Sequence, residues 1–374
     1  MPTNSAHEFA TNLHEPKLKI LDELLKEADV RRGERHKEML ETIVPIVKKI
    51  EKCICTEESR LVTIGSLATG LTLRGSSDVD LCFVTTSKHS NQFMADLTAN
   101  YDFRRTFMST IVGLIKKDQS IWDYRNNHAL YLPGIKVPLL TLNFGKKIKF
   151  DMQFSHYHSL RNTDLLRHFA GLDSRFRMLY IWVKELAIQM RIKDGAFGLL
   201  SSYHISLLVA HFLQTKRSND SSVLPLVTKV FEDRISGKVL IEKVIESLDT
   251  PVNIKKIITS KNTDSISDLV VQFVDYFAGF DYYNNAIYID KAHPVPKKQP
   301  LINAKLQIFD PYSDESISNG IHTVEAFSLA MKFVQDRMKK GFFLNTFPQF
   351  PEAQIFLHQN QDKVWISNRK FDLA

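Results

Sequence analysis

Two aspartates, Asp78 and Asp80, lie two positions apart at the start of an apolar run and are the first residues of this sequence that suggest chemistry. Because successive side chains of a strand point to opposite faces, we expect both carboxylates on one face, and Val79 and Leu81 on the other, against the core. Mg²⁺ prefers oxygen ligands and uses one or two carboxylates together with phosphate oxygens and water. The pair therefore predicts a site for a divalent cation bound to a phosphate.

A glycine-serine turn precedes the aspartates. Gly65 and Ser66 directly follow residues 61–64, an apolar run that is typical of a strand. Glycine lets a phosphate approach the backbone closely, and the amides at the start of a helix carry a positive partial charge. Each motif alone is common in ordinary turns and strand ends. At this spacing the two together favour chemistry on a nucleoside triphosphate.

A third carboxylate, Asp151, lies in the apolar stretch of residues 148–154. Residues 136–142 and 148–154 predict the two strands of a hairpin, joined by a turn that contains Gly145. A carboxylate among apolar side chains needs a partner, and a divalent metal is a suitable one. The hairpin therefore predicts a third acidic ligand on a strand.

Two further groups of metal-binding residue types are weaker candidates. His156 and His158 would both face away from Asp151 if the strand continued through them. The three cysteines of the chain have neither the spacing of a zinc site nor that of a disulfide framework. We expect the cysteines to be reduced packing residues.

The elements that must position the acidic residues divide the chain into three predicted parts. Residues 1–50 predict an N-terminal helical segment in which Pro45 either kinks a helix or starts a second one. Residues 51–160 predict a mixed α/β domain and residues 161–374 a mainly helical one. The helical stretches of this last part are residues 174–192, 201–216 and 266–279. We therefore expect an α+β protein with a mixed sheet, a helical second domain, and a nucleotide cleft between them.

Composition and charge restrict the class of protein. The chain has 374 residues and a formal net charge of +7, which favours a polyanionic partner. No run approaches the roughly 18 apolar residues that a membrane span needs. The first residues, Met1 to His7, contain no apolar core of a signal peptide. We expect a cytoplasmic protein, with the nucleus as a second compartment.

The glycine-serine turn and the three aspartates together resemble the signature of the DNA polymerase β-like nucleotidyltransferase superfamily. Residues of the second half narrow the resemblance to the terminal uridylyltransferase and cytoplasmic poly(A) polymerase branch, which includes poly(U) polymerases. These residues are Asn162 with Thr163, Lys184, residues 200–203, residues 273–283, residues 309–311 and Asn319 with Gly320. The resemblance covers about residues 55–335, of which about 266–335 form the poly(A)-polymerase-associated segment.

The resemblance implies an RNA uridylyltransferase that adds UMP from UTP to RNA 3′ ends without a template and releases pyrophosphate. It implies two Mg²⁺ or Mn²⁺ ions. Asp78 and Asp80 would hold both ions, and Asp151 would bind one of them and help activate the RNA 3′-hydroxyl. The implied partners are the RNA 3′ end, the triphosphate and a protein that chooses the RNA, because no separate RNA-binding module is visible in the sequence.

The resemblance also implies a set of nucleotide contacts. The residues concerned are Gly65, Ser66, Asn162, Thr163, Lys184, Ser202, Tyr203 and Asp310. Ser66 and Lys184 would contact the triphosphate, and Ser202 would cap a helix or reach a phosphate oxygen. Tyr203 would stack on the base, while Asn162 and Thr163 would hydrogen-bond to the base and ribose, unless they form a plain helix cap.

Two departures from the family pattern bear on the nucleotide. Ile188 stands where relatives carry a second lysine, so we expect weaker triphosphate binding. Ser318 stands where uridine-specific relatives carry a histidine before Asn319. We expect UTP because compact chains of this branch often transfer uridine, and ATP is the alternative that the missing histidine favours. Two further hypotheses are a catalytically silent RNA-binding scaffold and a cyclic-dinucleotide or 2′–5′ oligoadenylate synthase.

Overall fold

The computed structural model describes most of the chain. The described residues are 6–7, 10, 14–73, 78–85, 90–133, 137–145, 148–155, 157–215, 221–250, 252, 260–297, 305–318, 320–343 and 350–367. Two of the candidate residues, His156 and Asn319, lie outside them. Within the described residues, no helix combines the length and the apolar character needed to cross a membrane.

The chain forms two compact units. The first, here called the sheet unit, comprises Val30–His168 and Val239–Val252. The second, here called the helical unit, comprises Met1–Asp29, Phe169–Lys238 and Asn253–Ala374. The mixed α+β architecture expected from the sequence is confirmed.

The sheet unit contains a five-stranded mixed sheet. Its strands are β1 (Ser59–Ile64), β2 (Asp78–Thr85), β3 (Asn127–Leu132), β4 (Leu139–Phe144) and β5 (Ile148–Phe154). In space they follow the order β1-β2-β5-β4-β3. Strands β2 and β5 are parallel, and all other neighbours are antiparallel. The predicted hairpin is confirmed as β4 and β5, and Gly145 between them has a φ of +61°, which glycine adopts without steric cost.

The described helices are, in chain order, α1 (Glu15–Ile54), α2 (Gly65–Thr69), α3 (Ser90–Ala99), α4 (Tyr101–Lys117), α5 (Tyr157–Leu172), α6 (Ser174–Gln189), α7 (Ser202–Gln214), α8 (Val227–Val230), α9 (Ile241–Asp249), α10 (Ile266–Ala278), α11 (Thr323–Lys339), α12 (Ala353–Gln359) and α13 (Val364–Ser367). The three helical stretches predicted in the second half are confirmed as α6, α7 and α10. Residues Gly195–Phe197 form a 3₁₀ turn between α6 and α7.

Helix α1 continues through Pro45, so the interpretation that this proline starts a second helix is wrong. Proline removes one backbone hydrogen bond from a helix interior. On either side of it, Ile43 and Val47 are buried against the core of the sheet unit, and so is Ile50 one turn further. Packing of this apolar face maintains the helix where local propensity would end it.

The described part of the helical unit also contains three very short strands. They are β6 (Asn285–Tyr288), β7 (Val295–Pro296) and β8 (Ile308–Phe309), arranged in the order β7-β6-β8. The sequence did not predict them, because strands of two to four residues are too short to show an alternating pattern. Strand β8 leads directly into Asp310.

Side chains of β2 alternate between two apolar layers. Val79, Leu81 and Phe83 lie in the main core together with side chains of α1 and α4. Cys82 and Val84 lie in a smaller cluster on the opposite face. Each fully buried side chain of this size stabilises the fold by roughly 1.5–3 kcal/mol, so the alternation fixes the strand's register strongly. As predicted, the two aspartates lie on the face opposite the main core.

Candidate functional site

Three aspartates lie on the same face of the five-stranded sheet. Asp78 and Asp80 are two residues apart on β2, and the parallel pairing of β2 with β5 places Asp80 directly beside Asp151. The intervening Val79 and the adjacent Phe150 point the other way and are fully buried. Adjacent strands are only about 4.8 Å apart. Strand register therefore brings the acidic residues together, as the sequence predicted.

The Asp151 carboxylate has two partners in the sheet. Thr141 on β4 donates its hydroxyl to Oδ1 at 2.6 Å, and Lys149 donates Nζ to Oδ2 at 2.6 Å. Lys149 precedes Asp151 by two residues on β5, so both side chains share one face. In the strand pairing Lys149 is the direct neighbour of Asp78. The carboxylate face therefore includes a cation of the chain itself.

Electrostatics keep Lys149 charged in this position. Burial lowers the pKa of its ammonium group, but the hydrogen bond to Asp151 and the charges of Asp78 and Asp80 raise that pKa by more, so it lies above its usual value. Sequence reasoning missed Lys149 and assigned a metal as the partner of Asp151. The two-residue spacing of Lys149 and Asp151 on a predicted strand was the signal that could have revealed the pair.

The acidic face fits a divalent cation by the type of its residues and by their positions on adjacent strands. Three carboxylates on adjacent strands provide the hard oxygen ligands that Mg²⁺ and Mn²⁺ prefer. As the side chains stand, no group of three His, Cys, Asp or Glu residues in the described part of the chain is arranged to hold a metal ion. Lys149 donates to Asp151 Oδ2, so this carboxylate already faces a cation, and we expect their pairing to compete with a metal ion.

Replacing the lysine tests this expectation. In Lys149→Met we expect Mn²⁺ to bind about three- to tenfold more tightly, because a like charge beside the ion is removed while water screens part of the effect. Titration of free Mn²⁺ by electron paramagnetic resonance measures the affinity without any need for activity. Lys117→Met, which removes an exposed lysine of α4, is the matched control. Equal affinities of Lys149→Met and the wild type would contradict the expectation.

The glycine-serine turn lies against the acidic face. Gly65 begins α2 directly after β1 with a φ of +67°, and a Cβ atom added there would collide with the Asp80 carboxylate. The Gly65 amide donates to Thr163 Oγ1 at 3.0 Å. The glycine therefore allows the backbone to lie beside Asp80. The sequence pattern explained this glycine only by the close approach of a phosphate. Ser66, the next residue of α2, is partly exposed.

Asn162 and Thr163 lie on α5 and differ in their surroundings. Thr163 is only 2% exposed, and its hydroxyl also donates to the Ser159 carbonyl at 2.7 Å. Its observed role is to hold the Gly65 turn. The Asn162 Oδ1 atom is buried and has no hydrogen-bond partner among the described residues. A buried polar atom without a partner is costly, so Asn162 is the better candidate for a ligand contact.

The helical unit contains the other predicted nucleotide contacts. Lys184 on α6 is 9% exposed, and its ammonium lies 5.5 Å from the centre of the Tyr180 ring. Tyr180 also hydrogen-bonds to Ser202. This bond lowers the pKa of the Tyr180 phenol, but burial raises that pKa by more, to well above the usual value. The two residues predicted to bind phosphate thus share one buried neighbour. One turn after Lys184, Ile188 is 45% exposed and provides no second cation.

Helix α7 begins with a capping box formed by Ser201 and His204. Ser201 Oγ accepts the His204 amide at 3.1 Å, and His204 Nδ1 accepts the Ser201 amide at 3.2 Å. The expectation that Ser202 caps this helix is therefore wrong. Ser202 is the first helical residue and its hydroxyl bonds to Tyr180 instead. Burial lowers the pKa of His204, which favours its neutral form.

Tyr203 and Asp310, both predicted to contact the base region, contact each other. The Tyr203 hydroxyl donates to Asp310 Oδ2 at 3.2 Å, and the Tyr312 amide donates to Oδ1 at 3.0 Å. Burial, reinforced by the Asp310 charge, raises the pKa of Tyr203, so its phenol remains a donor. The structure thereby joins the start of α7 to the loop that follows β8.

Comparisons with protein families and curated proteins identify similar chains. The family model of the central palm domain of mitochondrial-like poly(A) RNA polymerase matches residues 27–171. Poly(A) RNA polymerase GLD2 of Rattus norvegicus is 28% identical over 295 residues, which cover 76% of this chain and 56% of that protein. Poly(A) RNA polymerase gld-2 of Caenorhabditis elegans is 28% identical over 261 residues, covering 66% of this chain and 21% of the relative. The chain spans about half the length of the GLD2 relatives it matches and 21% of the length of gld-2.

Solved structures share the fold. Cid1 in complex with the UTP analog UMPNPP superimposes with a TM-score of 0.61 and 20% identity, covering 92% of this chain and 98% of that one. A GLD-2/RNP-8 complex gives a TM-score of 0.63 and 21% identity, with coverages of 91% and 98%. At this level of identity the likeness shows a common architecture.

Proposed function

We propose that this chain adds nucleotides to the 3′ end of RNA without a template. The chain belongs to the nucleotidyltransferase family, in its poly(U)/poly(A) polymerase branch. The observation that carries the proposal is the pairing of β2 with β5, which sets Asp80 beside Asp151 with Asp78 on the same face. A scaffold without catalytic activity has no need to place three carboxylates side by side.

In the proposed reaction the oxygen of the RNA 3′-hydroxyl bonds to the α-phosphorus of a triphosphate, and the bond to pyrophosphate breaks. Asp78 and Asp80 would hold two divalent ions and Asp151 one of them. When bound, such ions stabilise the charge on the attacking and leaving oxygens. Asp151 is the proposed acceptor of the hydroxyl proton, which requires that its carboxylate be released from Lys149.

Each unit contributes its own proposed nucleotide contacts. In the sheet unit, Ser66 is proposed to contact a phosphate, and the unpartnered Asn162 oxygen to accept a hydrogen bond from the ribose or base. In the helical unit, Lys184 is proposed to pair with phosphate, because a buried ammonium group is stabilised by an anion. Tyr203 is proposed to stack on the base, which would contribute about 1–3 kcal/mol of affinity with little selectivity.

Two triphosphates are candidates for the substrate. ATP is favoured by two observations: Ser318 stands in the recognition loop where uridine-specific relatives carry histidine, and the curated relatives are named poly(A) RNA polymerases. UTP, the sequence-based expectation, is favoured by the fold shared with Cid1, whose complex contains a UTP analog. We propose ATP first and UTP second.

The RNA and any partner are also part of the proposal. A net charge of +7 favours RNA as the acceptor, held by salt-sensitive phosphate contacts. A partner protein that chooses the RNA is proposed because GLD-2 has been solved in complex with RNP-8. We propose that the protein acts in the cytoplasm, with the nucleus as a second compartment.

Incubation of the purified chain with end-labelled RNA and each of the four triphosphates separately, with Mg²⁺ or Mn²⁺, tests the proposal. We expect extension in which ATP gives the longest or fastest product. Dominant UMP addition would reverse the order of the two candidates. Failure to extend RNA with any triphosphate would overturn the activity and favour the silent scaffold.

A further inference from the structure

The two ring nitrogens of His204 bind two different segments of the helical unit. Nδ1 accepts the backbone amide of Ser201 at the start of α7, so in the neutral ring the proton is on Nε2. Nε2 lies 3.1 Å from the carbonyl oxygen of Ile317 and donates to it. One side chain thus connects the helix start that carries Tyr203 to the loop that carries Asp310.

The loop of residues 310–318 is fixed near both of its ends. At its beginning, Asp310 accepts hydrogen bonds from Tyr203 and from the Tyr312 amide. Near its end, the Ile317 amide donates to the Ile308 carbonyl at 2.9 Å, while the Ile317 carbonyl accepts from His204. The loop therefore closes on β8 and on α7 at the same residue, Ile317.

The residue after this junction has an unused polar group. Ser318 is 4% exposed, and its hydroxyl oxygen has no hydrogen-bond partner among the described residues. A buried hydroxyl without a partner is destabilising, and a bound ligand would satisfy it. The backbone of this serine is bonded to Ser316 Oγ and directly follows the Ile317 carbonyl that His204 binds.

A second contact fixes the chain beyond the loop. Thr323 donates its hydroxyl to the Gly198 carbonyl at 2.8 Å, and a Cβ atom at Gly320 would collide with that same carbonyl. Gly320 therefore packs directly against Gly198, the residue that follows the 3₁₀ turn. Ile317 and Thr323, on either side of Ser318, are thus bonded to His204 in the first turn of α7 and to Gly198 four residues before that helix.

We propose that His204 is a positioning residue for base selection: it holds the loop of residues 310–318 at a fixed place relative to Tyr203. This inference rests on the proposed function and deepens it. Stacking on an aromatic ring accepts every base, so discrimination must come from polar groups at fixed positions around the ring. Tyr203 itself holds Asp310, and the contact between His204 and Ile317 fixes the backbone next to Ser318, so we assign this role to Asp310 and Ser318.

Two substitutions separate the two bonds of His204. His204→Asn keeps an acceptor near the place of Nδ1 and therefore the helix cap, but its side chain is too short to reach Ile317. His204→Gln keeps a donor near the place of Nε2 and therefore the loop contact. His293→Asn, which changes an exposed histidine of the same unit, is the control.

We expect His204→Asn to raise KM for the preferred triphosphate about five- to tenfold and to leave kcat nearly unchanged. The ratio of kcat/KM for the preferred triphosphate to kcat/KM for each of the other three should fall by a similar factor. His204→Gln should recover most of the selectivity. Thermal unfolding midpoints identify a variant that merely fails to fold. Wild-type selectivity in His204→Asn, or equal loss in both variants, would overturn the inference.

Equilibrium binding of the four triphosphates to the same variants, in Mg²⁺ and without RNA, separates this inference from the proposed function. The wild type could extend no RNA and still bind one triphosphate preferentially. If His204→Asn then loses that preference, the proposed activity is overturned and the role of His204 is retained. Equal binding of all four triphosphates by the wild type would overturn the role of His204.

Discussion

Asp151→Asn is expected to lower kcat/KM for nucleotide addition by about a thousandfold or more while the protein remains folded. The substitution removes the charge that would bind a divalent ion and the group proposed to accept the hydroxyl proton, and general-base catalysis alone contributes roughly 10²–10⁴. The asparagine oxygen can still accept the bond from Thr141, so the sheet keeps one of its two contacts. Initial rates of RNA extension measure the loss.

The control for this variant is Asp249→Asn, which breaks an exposed ion pair with Arg60 in the same unit. Exposed pairs contribute only about 0–1 kcal/mol, so its activity should remain near that of the wild type. Lys149 would lose its partner in Asp151→Asn, and the unfolding midpoint shows whether the fold tolerates this. An Asp151→Asn variant that folds and retains a tenth of the activity would refute the assigned role of the carboxylate.

Gly65→Ala is expected to lower kcat/KM about a hundredfold and to destabilise the sheet unit. The left-handed backbone at Gly65 costs a residue with a Cβ about 1–3 kcal/mol. In addition, the new methyl group meets the Asp80 carboxylate, so that side chain must move. A displacement of about 1 Å in a catalytic group is enough to cost 10²-fold. Extension rates and thermal unfolding of the same preparation measure both effects.

Gly145→Ala distinguishes the effect of backbone strain at a glycine from the effect of moving the Asp80 side chain. Gly145 also has a left-handed backbone, with a φ of +61°, but nothing lies within 4 Å of the position of its Cβ. We expect a similar loss of stability in both variants and near-normal activity in Gly145→Ala alone. Equal activity losses would mean that general destabilisation, rather than the contact with Asp80, is responsible.

Local sequence patterns predicted the acidic face correctly. The alternation of polar and apolar residues places Asp78 and Asp80 on one face of a strand, and the hairpin places Asp151 on another. These predictions depend only on the two-residue period of a strand and on turn chemistry. The capping error at α7 is of the same local kind, because Ser201 and Ser202 are adjacent and helix ends are uncertain by a residue or two.

Contacts between distant segments were not predictable from pattern. The bond from Gly65 to Thr163 and the bond from His204 to Ile317 join residues far apart in sequence. Nothing in the surrounding composition distinguishes either pair. Helix α1 shows the same limit at Pro45, since burial of Ile43 and Val47 overrides a local signal that normally ends a helix.

The pair formed by Lys149 and Asp151 also bears on how the sheet is assembled. Strand β5 pairs with β2 on one side and β4 on the other, and β2 already carries two negative charges when it receives a third. Long-range parallel pairing is intrinsically slow, and repulsion between carboxylates would slow it further. Because β5 brings its own ammonium group with its carboxylate, the sheet closes with its charge partly neutralised. The pair formed by Lys149 and Asp151 thereby supplies, from within the chain, part of the charge neutralisation that a bound cation would otherwise have to provide during folding.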